Sequence, residues 1–175
     1  MKETSFVYQD KGGFPLLRSR RKGDIISPKN RDCTDREDCL IMVYEKSCGA
    51  VIYSEQDGRR LYLVELMQKG HCSLCKGHVE ENESEHQTAE REIFEETGLF
   101  VAFVNGFRET IEYSPYEDCK KTVVFFLAYA DSLDVNVQKE EVREIRWLPI
   151  EDAMAVLTFE SDRETLRKAE EFLNN

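Results

Sequence analysis

Residues 71–99, HCSLCKGHVEENESEHQTAEREIFEETGL, decide the fold of this chain. The second half of the stretch predicts a helix over residues 84–97. Ser84 can cap its start, and Gln87 three positions later can complete a capping box. Gly98 stands where a helix commonly ends in the left-handed conformation. The stretch therefore predicts one capped helix, with a Cys-x-x-Cys pair ahead of it.

The predicted helix carries a crowded acidic face. At about 100° per residue, Glu92, Glu95 and Glu96 share roughly 100° of arc. Like charges at this spacing destabilise a helix by a few tenths of a kcal/mol each, and Arg91 is the only cation beside them. Either this face is simply solvated, or a divalent cation neutralises it. Clustered carboxylate oxygens suit Mg²⁺.

Strands and helices interleave on both sides of this stretch. Asp57-Gly58 is a hairpin turn signal, and Ser161 with Glu164 forms a second candidate capping box. The predicted strands cover residues 47–53, 61–67, 101–104, 107–113, 121–130 and 144–148, and the predicted further helices cover residues 150–157 and 162–173. Short links between alternating elements predict a mixed α/β sandwich.

The first part of the chain shows no sustained period. We predict that residues 1–43 form a loosely ordered extension and that residues 44–175 form a single domain. A basic arm that touches nucleic acid is an alternative reading of residues 18–22. Met42, immediately before the first clear strand, is a second candidate for the natural start.

The charge and the hydropathy pattern restrict the function classes. The net charge is −11. Residues 1–41 carry a net charge of +2, so the acidity belongs to the body of the protein. Such a body repels phosphate backbones, and we do not expect a long nucleic acid as a partner. No apolar run approaches the ~20 residues of a membrane span, and no secretory signal is visible. We expect a cytoplasmic protein with its six cysteines reduced, and no protein partner can be inferred.

The spacing within the opening stretch is more specific than its composition. Nine positions in 23 residues match the Nudix box, namely Gly77, Glu83, Arg91, Glu92, Ile93, Glu95, Glu96, Gly98 and Leu99. The chain resembles the Nudix hydrolases over about residues 45–173. The resemblance implies an αβα sandwich with a mixed β-sheet. It also implies hydrolysis of a nucleoside diphosphate linked to another moiety.

The resemblance also implies roles for individual residues. The metal ligands would be three helix carboxylates and one backbone carbonyl, from Glu92, Glu95, Glu96 and Lys76. Arg91 would orient the glutamates, and Glu83 would lie next to the ligands without contacting the metal itself. The metal would be Mg²⁺, with Mn²⁺ as an alternative, and it would activate the attacking water. Outside the box, Glu141 is our candidate for a further ligand or base, and an exposed loop glutamate is its alternative interpretation.

The flanks of the box resemble the asymmetrical diadenosine tetraphosphate hydrolases. The similar segments are residues 76–80, 106–109, 121–123 and 146–148, together with Tyr113. This resemblance implies a small-molecule nucleotide substrate, cleaved to ATP and AMP. Alternatives within the family are removal of pyrophosphate from RNA 5′ ends and cleavage of nucleoside triphosphates. A non-catalytic nucleotide-binding module is the alternative from another class.

Several residues are candidates for contacts with this substrate. Tyr113 would stack on adenine, with Tyr116 as a rival, and Lys121 would contact phosphate, near His78. Phe172 would form the other side of an aromatic clamp, although packing in the core is the simpler interpretation.

Three accounts fit the cysteine pair Cys72-x-x-Cys75. A zinc site lacks the remaining ligands in sequence, and a redox pair should open a helix, so we favour buried thiols. Related enzymes often have tryptophan near position 72 and proline at position 75. This departure leaves open the local conformation ahead of Lys76.

Overall fold

A computed structural model describes residues 6–9, 15–18, 42–137 and 140–175. Nine strands and three helices lie within these ranges. The strands are β1 (Phe6–Gln9), β2 (Pro15–Arg18), β3 (Val43–Gln56), β4 (Arg59–Met67), β5 (Cys72–Ser73), β6 (Lys76–His78), β7 (Ala102–Tyr113), β8 (Cys119–Tyr129) and β9 (Val142–Leu148). The helices are α1 (Glu85–Thr97), α2 (Ile150–Val156) and α3 (Glu160–Leu173).

Strand β3 organises a mixed sheet. It runs parallel to β8 along eleven paired residues, from Val43 with Cys119 to Tyr53 with Tyr129. Strand β7 adds antiparallel to β8, and β6 and β4 pair with β3 on its other side. Strands β5 and β9 pair with β4, while β1 pairs with the start of β3 and with β2.

Helices cover both faces of the sheet, which explains why β8 is apolar at consecutive positions. Even-numbered β8 residues pack with α1, and odd-numbered ones pack with α2 and α3. The first core contains Val124, Phe126, Ala128, Ala89 and Ile93, and the second contains Val123, Phe125, Leu127, Ala153, Leu157, Leu166 and Ala169. The predicted αβα sandwich with a mixed sheet is confirmed.

The local signals around α1 are also confirmed. Ser84 is its N-cap, and both hydrogen bonds of the capping box with Gln87 are present. Gly98 ends the helix at φ 74°, where a side chain would strain the backbone. In the β3–β4 turn, Asp57 and Gly58 have φ values of 50° and 73°. This is the left-handed pair that a two-residue hairpin requires.

Two local predictions are wrong. Helix α3 begins at Glu160 with Phe159 as its N-cap and has no side-chain cap. Ser161 therefore lies inside the first turn, where its carbonyl accepts a hydrogen bond from the Thr165 hydroxyl at 2.9 Å. The capping box with Glu164 does not form. Strand β7 is also one element, because an irregularity between Phe103 and Arg108 kinks the strand without ending it.

The predicted extension contains β1 and β2. The rest of residues 1–41, including positions 19–22 of the basic run, lies outside the described residues. The loose order of the extension therefore stays a prediction, as does a natural start at Met42. No helix in the described part of the chain is both long and apolar enough to cross a membrane.

Candidate active site

Arg91 is the centre of the candidate site. Its Nε donates to Glu83 Oε1 at 2.6 Å, and its Nη2 donates to Glu83 Oε2 at 2.9 Å. Its Nη1 donates to Glu92 Oε1 at 2.8 Å and to Glu95 Oε2 at 3.3 Å. Nη2 also donates to the His78 carbonyl at 2.9 Å. One planar guanidinium thus fixes three carboxylates and the end of β6, which a lysine could not do.

Glu83 is itself held from several sides. Its Oε2 accepts from the Thr88 hydroxyl at 2.8 Å and from the Glu80 backbone N–H at 3.1 Å. The hydrogen bonds from Arg91 hold the pKa of Glu83 at about 2. Glu83 is therefore ionised at neutral pH and acts as a fixed anchor for the guanidinium.

Glu92 and Glu96 bring negative charge into the protein interior. Their exposed fractions are 5% and 2%. Burial raises the pKa of Glu96, and the charges of Glu92 and Glu141 raise it further, against the hydrogen bond from Cys75. Buried carboxylates in mutual repulsion match a divalent cation with hard oxygen ligands. Glu95 is more exposed, at a side-chain fraction of 33%.

Strand β6 packs closely against this carboxylate cluster. Gly77 pairs with Cys48 of β3 and lies against the Glu92 carboxylate. Lys76 precedes Gly77 on the same strand, so its peptide unit lies one residue from this contact. On the other side, the charge of Glu141 reaches both Glu96 and His78. The loop glutamate thus belongs to the electrostatic surroundings of the box carboxylates.

The candidate substrate residues form a row across the sheet. Tyr113 of β7 pairs with Lys121 of β8, which pairs with Glu45 of β3. Lys121 Nζ lies 3.6 Å from Glu45 Oε2 and 3.4 Å from His78 Nε2. Tyr113 remains 44% exposed. The structure therefore brings Tyr113, Lys121 and His78 to one place, on the sheet face that also carries α3.

Tyr116 borders the same row. Its hydroxyl donates to Glu45 Oε1 at 3.5 Å, and its exposed fraction is 54%. A hydrogen bond with Cys119 raises the pKa of Tyr116 to about 12. Tyr116 is thus a neutral, exposed aromatic beside Glu45.

Phe172 lies elsewhere. Its ring packs edge-on against Phe107 with the centroids 5.6 Å apart. Phe107 precedes Tyr113 by six residues on β7, which corresponds to about 20 Å of extended strand. The two aromatic rings therefore do not face each other across one base, and the interpretation of Phe172 as a packing residue agrees with its contacts.

Two residues that sequence reasoning missed belong to this region. Glu45 lies between Tyr116, Lys121 and His78, and only the strand register reveals this. Asp162, near the start of α3, is 4% exposed, and its Oδ2 has no hydrogen-bond partner among the described residues. Burial raises the pKa of Asp162, partly offset by the charge of Lys76. Nothing in the sequence distinguished Asp162 from a helix-start residue exposed to solvent.

The cysteines are thiols in the described part of the chain. Cys48, Cys75 and Cys119 are buried and Cys72 is partly exposed. For the Cys-x-x-Cys pair, the prediction of buried thiols is therefore confirmed for Cys75 and not for Cys72. Cys75 Sγ donates to Glu96 Oε2 at 3.1 Å. One member of the Cys-x-x-Cys pair therefore contacts a box glutamate, which the sequence did not indicate.

Comparison with known proteins agrees with this geometry. The family model described as NUDIX domain matches residues 43–169. The chain belongs to the NUDIX family, and it is a hydrolase of pyrophosphate bonds. It is 31% identical to the bis(5′-nucleosyl)-tetraphosphatase [asymmetrical] of Sus scrofa over 140 residues, which cover 73% of this chain and 95% of the relative. The Rattus norvegicus enzyme of the same name is 34% identical over equal shares.

A solved structure and a more distant relative extend the comparison. The C. elegans Ap4A hydrolase, in a binary complex, has a TM-score of 0.69 and 29% identity, covering 74% of this chain and 98% of that one. The NAD-capped RNA hydrolase NudC of Actinobacillus succinogenes is 31% identical over 116 residues. These cover 62% of this chain and 42% of that protein.

Proposed function

We propose that this protein hydrolyses diadenosine tetraphosphate to ATP and AMP in a Mg²⁺-dependent reaction. The observation that carries the proposal is the pairing of two sites. A buried carboxylate cluster, held by Arg91, lies on one side of β6. A row of Tyr113, Lys121 and His78 reaches the last residue of the same short strand, on the sheet face that carries α3. A nucleotide with a polyphosphate chain needs both a charged site for phosphates and an exposed aromatic for its base.

The residues present fit a hard divalent cation. Glu92 and Glu96 are buried, and the Arg91 guanidinium bonds both Glu92 and Glu95. Carboxylate oxygens are the donors that Mg²⁺ and Mn²⁺ prefer. We assign Glu92, Glu95, Glu96 and the Lys76 carbonyl as the ligands. When bound, the metal lowers the pKa of a coordinated water and neutralises phosphate charge.

The protein's own groups position the reactants. Arg91 and Glu83 fix the carboxylates in place before substrate arrives, so that their orientation costs nothing during the reaction. We assign Glu141 as the group that accepts the proton of the attacking water or adds a ligand, because its charge already reaches Glu96.

The second site would hold the nucleotide. Tyr113 offers a half-exposed ring, and stacking on a base contributes about 1–3 kcal/mol without selecting its edge. Lys121 of β8 lies between this ring and His78 of β6, where a phosphate chain would pass. We assign Lys121 as the phosphate contact, and Tyr116 as the aromatic that borders the base.

The similarity to NudC supports a second candidate, hydrolysis at a nucleotide-capped RNA 5′ end. The chain covers less than half of that relative. The body of this protein is acidic, which disfavours a long RNA chain beyond its first nucleotides.

A substrate panel with Mg²⁺ tests the proposal. Diadenosine tetraphosphate, nucleoside triphosphates and NAD-capped RNA are compared with wild type, Glu96→Gln and the exposed control Glu90→Gln, with products separated by chromatography. We expect ATP and AMP from the tetraphosphate, a loss of at least about 100-fold in kcat for Glu96→Gln, and full activity for Glu90→Gln. An intact tetraphosphate beside a degraded alternative contradicts the substrate. Equal rates for wild type and Glu96→Gln contradict the metal site, and tight binding without cleavage indicates a non-catalytic module.

A further inference from the structure

Behind the box glutamates lies a second group of potential metal ligands. Glu65 of β4, Cys75 and Glu96 of α1 each offer one ligand atom, and these three atoms lie within 4.8 Å of one another. The exposed fractions are 1% for Glu65, 1% for Cys75 and 2% for Glu96. Only Glu96 also belongs to the proposed Mg²⁺ site. Glu65 and Cys75 have no task in the proposed reaction.

Glu65 provides an independent observation that points to a ligand. Its Oε1 is buried and has no hydrogen-bond partner in the described part of the chain. An unsatisfied buried carboxyl oxygen costs free energy, and most buried polar atoms in native proteins have a partner. Strand β4 is paired on both sides at this position, with Ser73 and with Ile145. The backbone therefore holds the Glu65 side chain on the face where Cys75 and Glu96 lie.

We propose that Glu65, Cys75 and Glu96 form a binding site for a thiophilic divalent cation, with Zn²⁺ as the expected occupant. One sulfur and two carboxylate oxygens are a donor set that zinc accepts and Mg²⁺ does not favour. Zn–S and Zn–O bonds of about 2.3 and 2.0–2.2 Å place tetrahedral ligand atoms about 3.5 Å apart. The Cys75–Glu96 separation of 3.1 Å is already close to this value.

Binding would exchange a proton for the metal. The Cys75 S–H bond breaks, its proton and any proton held by the Glu65 or Glu96 carboxyl leave to solvent, and one S–Zn and two O–Zn bonds form without any change of oxidation state. The site carries three negative charges when ligated, and the cation leaves one of them uncompensated. The charge of Lys76, which acts on both Glu65 and Glu96, offsets the remainder.

Shared use of Glu96 gives the site a regulatory consequence. Zinc held by Cys75 would take Glu96 away from the hard-cation cluster, so the two metals would compete. Zinc binding itself is independent of the proposed function, whereas inhibition of hydrolysis rests on it. The test therefore measures zinc binding.

The binding experiment uses the full chain, stripped of metal and kept reduced. Zn²⁺ affinity is measured by titration calorimetry, and Co²⁺ is used as a probe for the near-ultraviolet absorption of a cobalt–thiolate bond. The variants are Cys75→Ser and Glu65→Gln, with Cys72→Ser as the matched control from the same Cys-x-x-Cys pair. Thermal melting of each variant checks folding, and contributions from the chain's other cysteines are common to all four proteins.

We expect the wild type and Cys72→Ser to bind one Zn²⁺ that Cys75→Ser binds at least tenfold more weakly, and Glu65→Gln to weaken it by about 10–100-fold. The cobalt–thiolate band should vanish only in Cys75→Ser. Equal zinc affinity in wild type and both site variants would overturn the proposal. So would a site that depends on Cys72 instead of Cys75. If Cys75→Ser does not fold, an unchanged zinc affinity in Glu65→Gln is sufficient to overturn it.

Discussion

Gly77 lies so close to Glu92 that no side chain fits between them. A β-carbon built on Gly77 would lie 1.9 Å from the Glu92 carboxyl carbon. The pairing of β6 with β3 fixes the strand on one side of this contact, and the packing of α1 fixes the helix on the other. The glycine of the box is therefore required by contact with a carboxylate, and not by an unusual backbone conformation.

Gly77→Ala should displace Glu92 and reduce both activity and stability. Overpacking a tightly filled position costs about 1–3 kcal/mol, and we expect kcat to fall by at least tenfold because the carboxylate must move. Thermal melting and initial rates with Mg²⁺ measure the two effects.

Gly58→Ala is the control for this prediction. Gly58 has φ 73° with nothing within 4 Å of a built β-carbon, so the substitution strains only a hairpin turn. It should lower the melting temperature and leave kcat unchanged. If Gly77→Ala behaves in the same way, the contact with Glu92 does not position the carboxylate.

Arg91→Lys should show whether the positive charge of residue 91 is sufficient for metal binding or whether the planar hydrogen-bond geometry of the guanidinium is also needed. The guanidinium makes hydrogen bonds to Glu83, Glu92 and Glu95 at the same time, and an ammonium group keeps the charge without the planar fork. We expect the Mg²⁺ concentration for half-maximal activity to rise by about 10–100-fold, as for other residues that orient metal ligands. A Mg²⁺ titration of activity measures it, with Arg167→Lys on the exposed face of α3 as the control. An unchanged metal dependence would show that charge alone suffices.

Much of this architecture was readable from local sequence. Ser84, Gln87 and Gly98 specify where α1 begins and ends through contacts within a few residues, and the structure has each of them. The spacing from Gly77 to Glu96 was also informative, because it encodes which residues meet across one loop and one helix.

Other features depend on contacts that no local pattern encodes. Glu65 and Cys75 lie close to Glu96 through strand pairing and helix packing, although more than twenty residues separate each of them from Glu96 in sequence. The burial of Glu65 on β4 therefore could not be predicted from the sequence. Helix α3 starts at Glu160 and buries Asp162 in its first turn, so the capping signal at Ser161 did not decide where the helix begins. Phe172 was placed near Tyr113 by residue type, whereas the antiparallel course of α3 along β7 sets it against Phe107.

Glu85 should make stability depend on pH in the acid range. Hydrogen bonds from Arg108, at 2.8 and 2.9 Å, and from Lys46, at 2.7 Å, lower the pKa of Glu85 to about 2. A folded-state pKa below the unfolded value stabilises the protein above pH ~4.5, and this contribution disappears as the pH falls towards ~2. Because both partners are about half exposed, we expect about 1 kcal/mol.

The measurement is urea unfolding of wild type and Glu85→Gln between pH 3 and pH 7. The free energies of unfolding should differ at pH 7 and converge as the pH falls. Glu90→Gln, on the exposed face of the same helix, should follow the wild type throughout. A difference for Glu85→Gln that stays constant with pH would mean that the carboxylate charge is not its source.

Substitutions of Tyr113 and of Phe172 should have different effects, the first on substrate binding and the second on stability. Removing the Tyr113 ring in Tyr113→Ala should raise KM for diadenosine tetraphosphate by about 5–150-fold, the equivalent of 1–3 kcal/mol of stacking, while Tyr113→Phe keeps a ring and should stay near wild type. Phe172→Ala removes a partly exposed ring that packs on Phe107. It should lower the melting temperature and leave KM unchanged. Steady-state kinetics and thermal melting of the three variants measure these effects. A raised KM in Phe172→Ala at unchanged stability would show that Phe172 contacts the nucleotide.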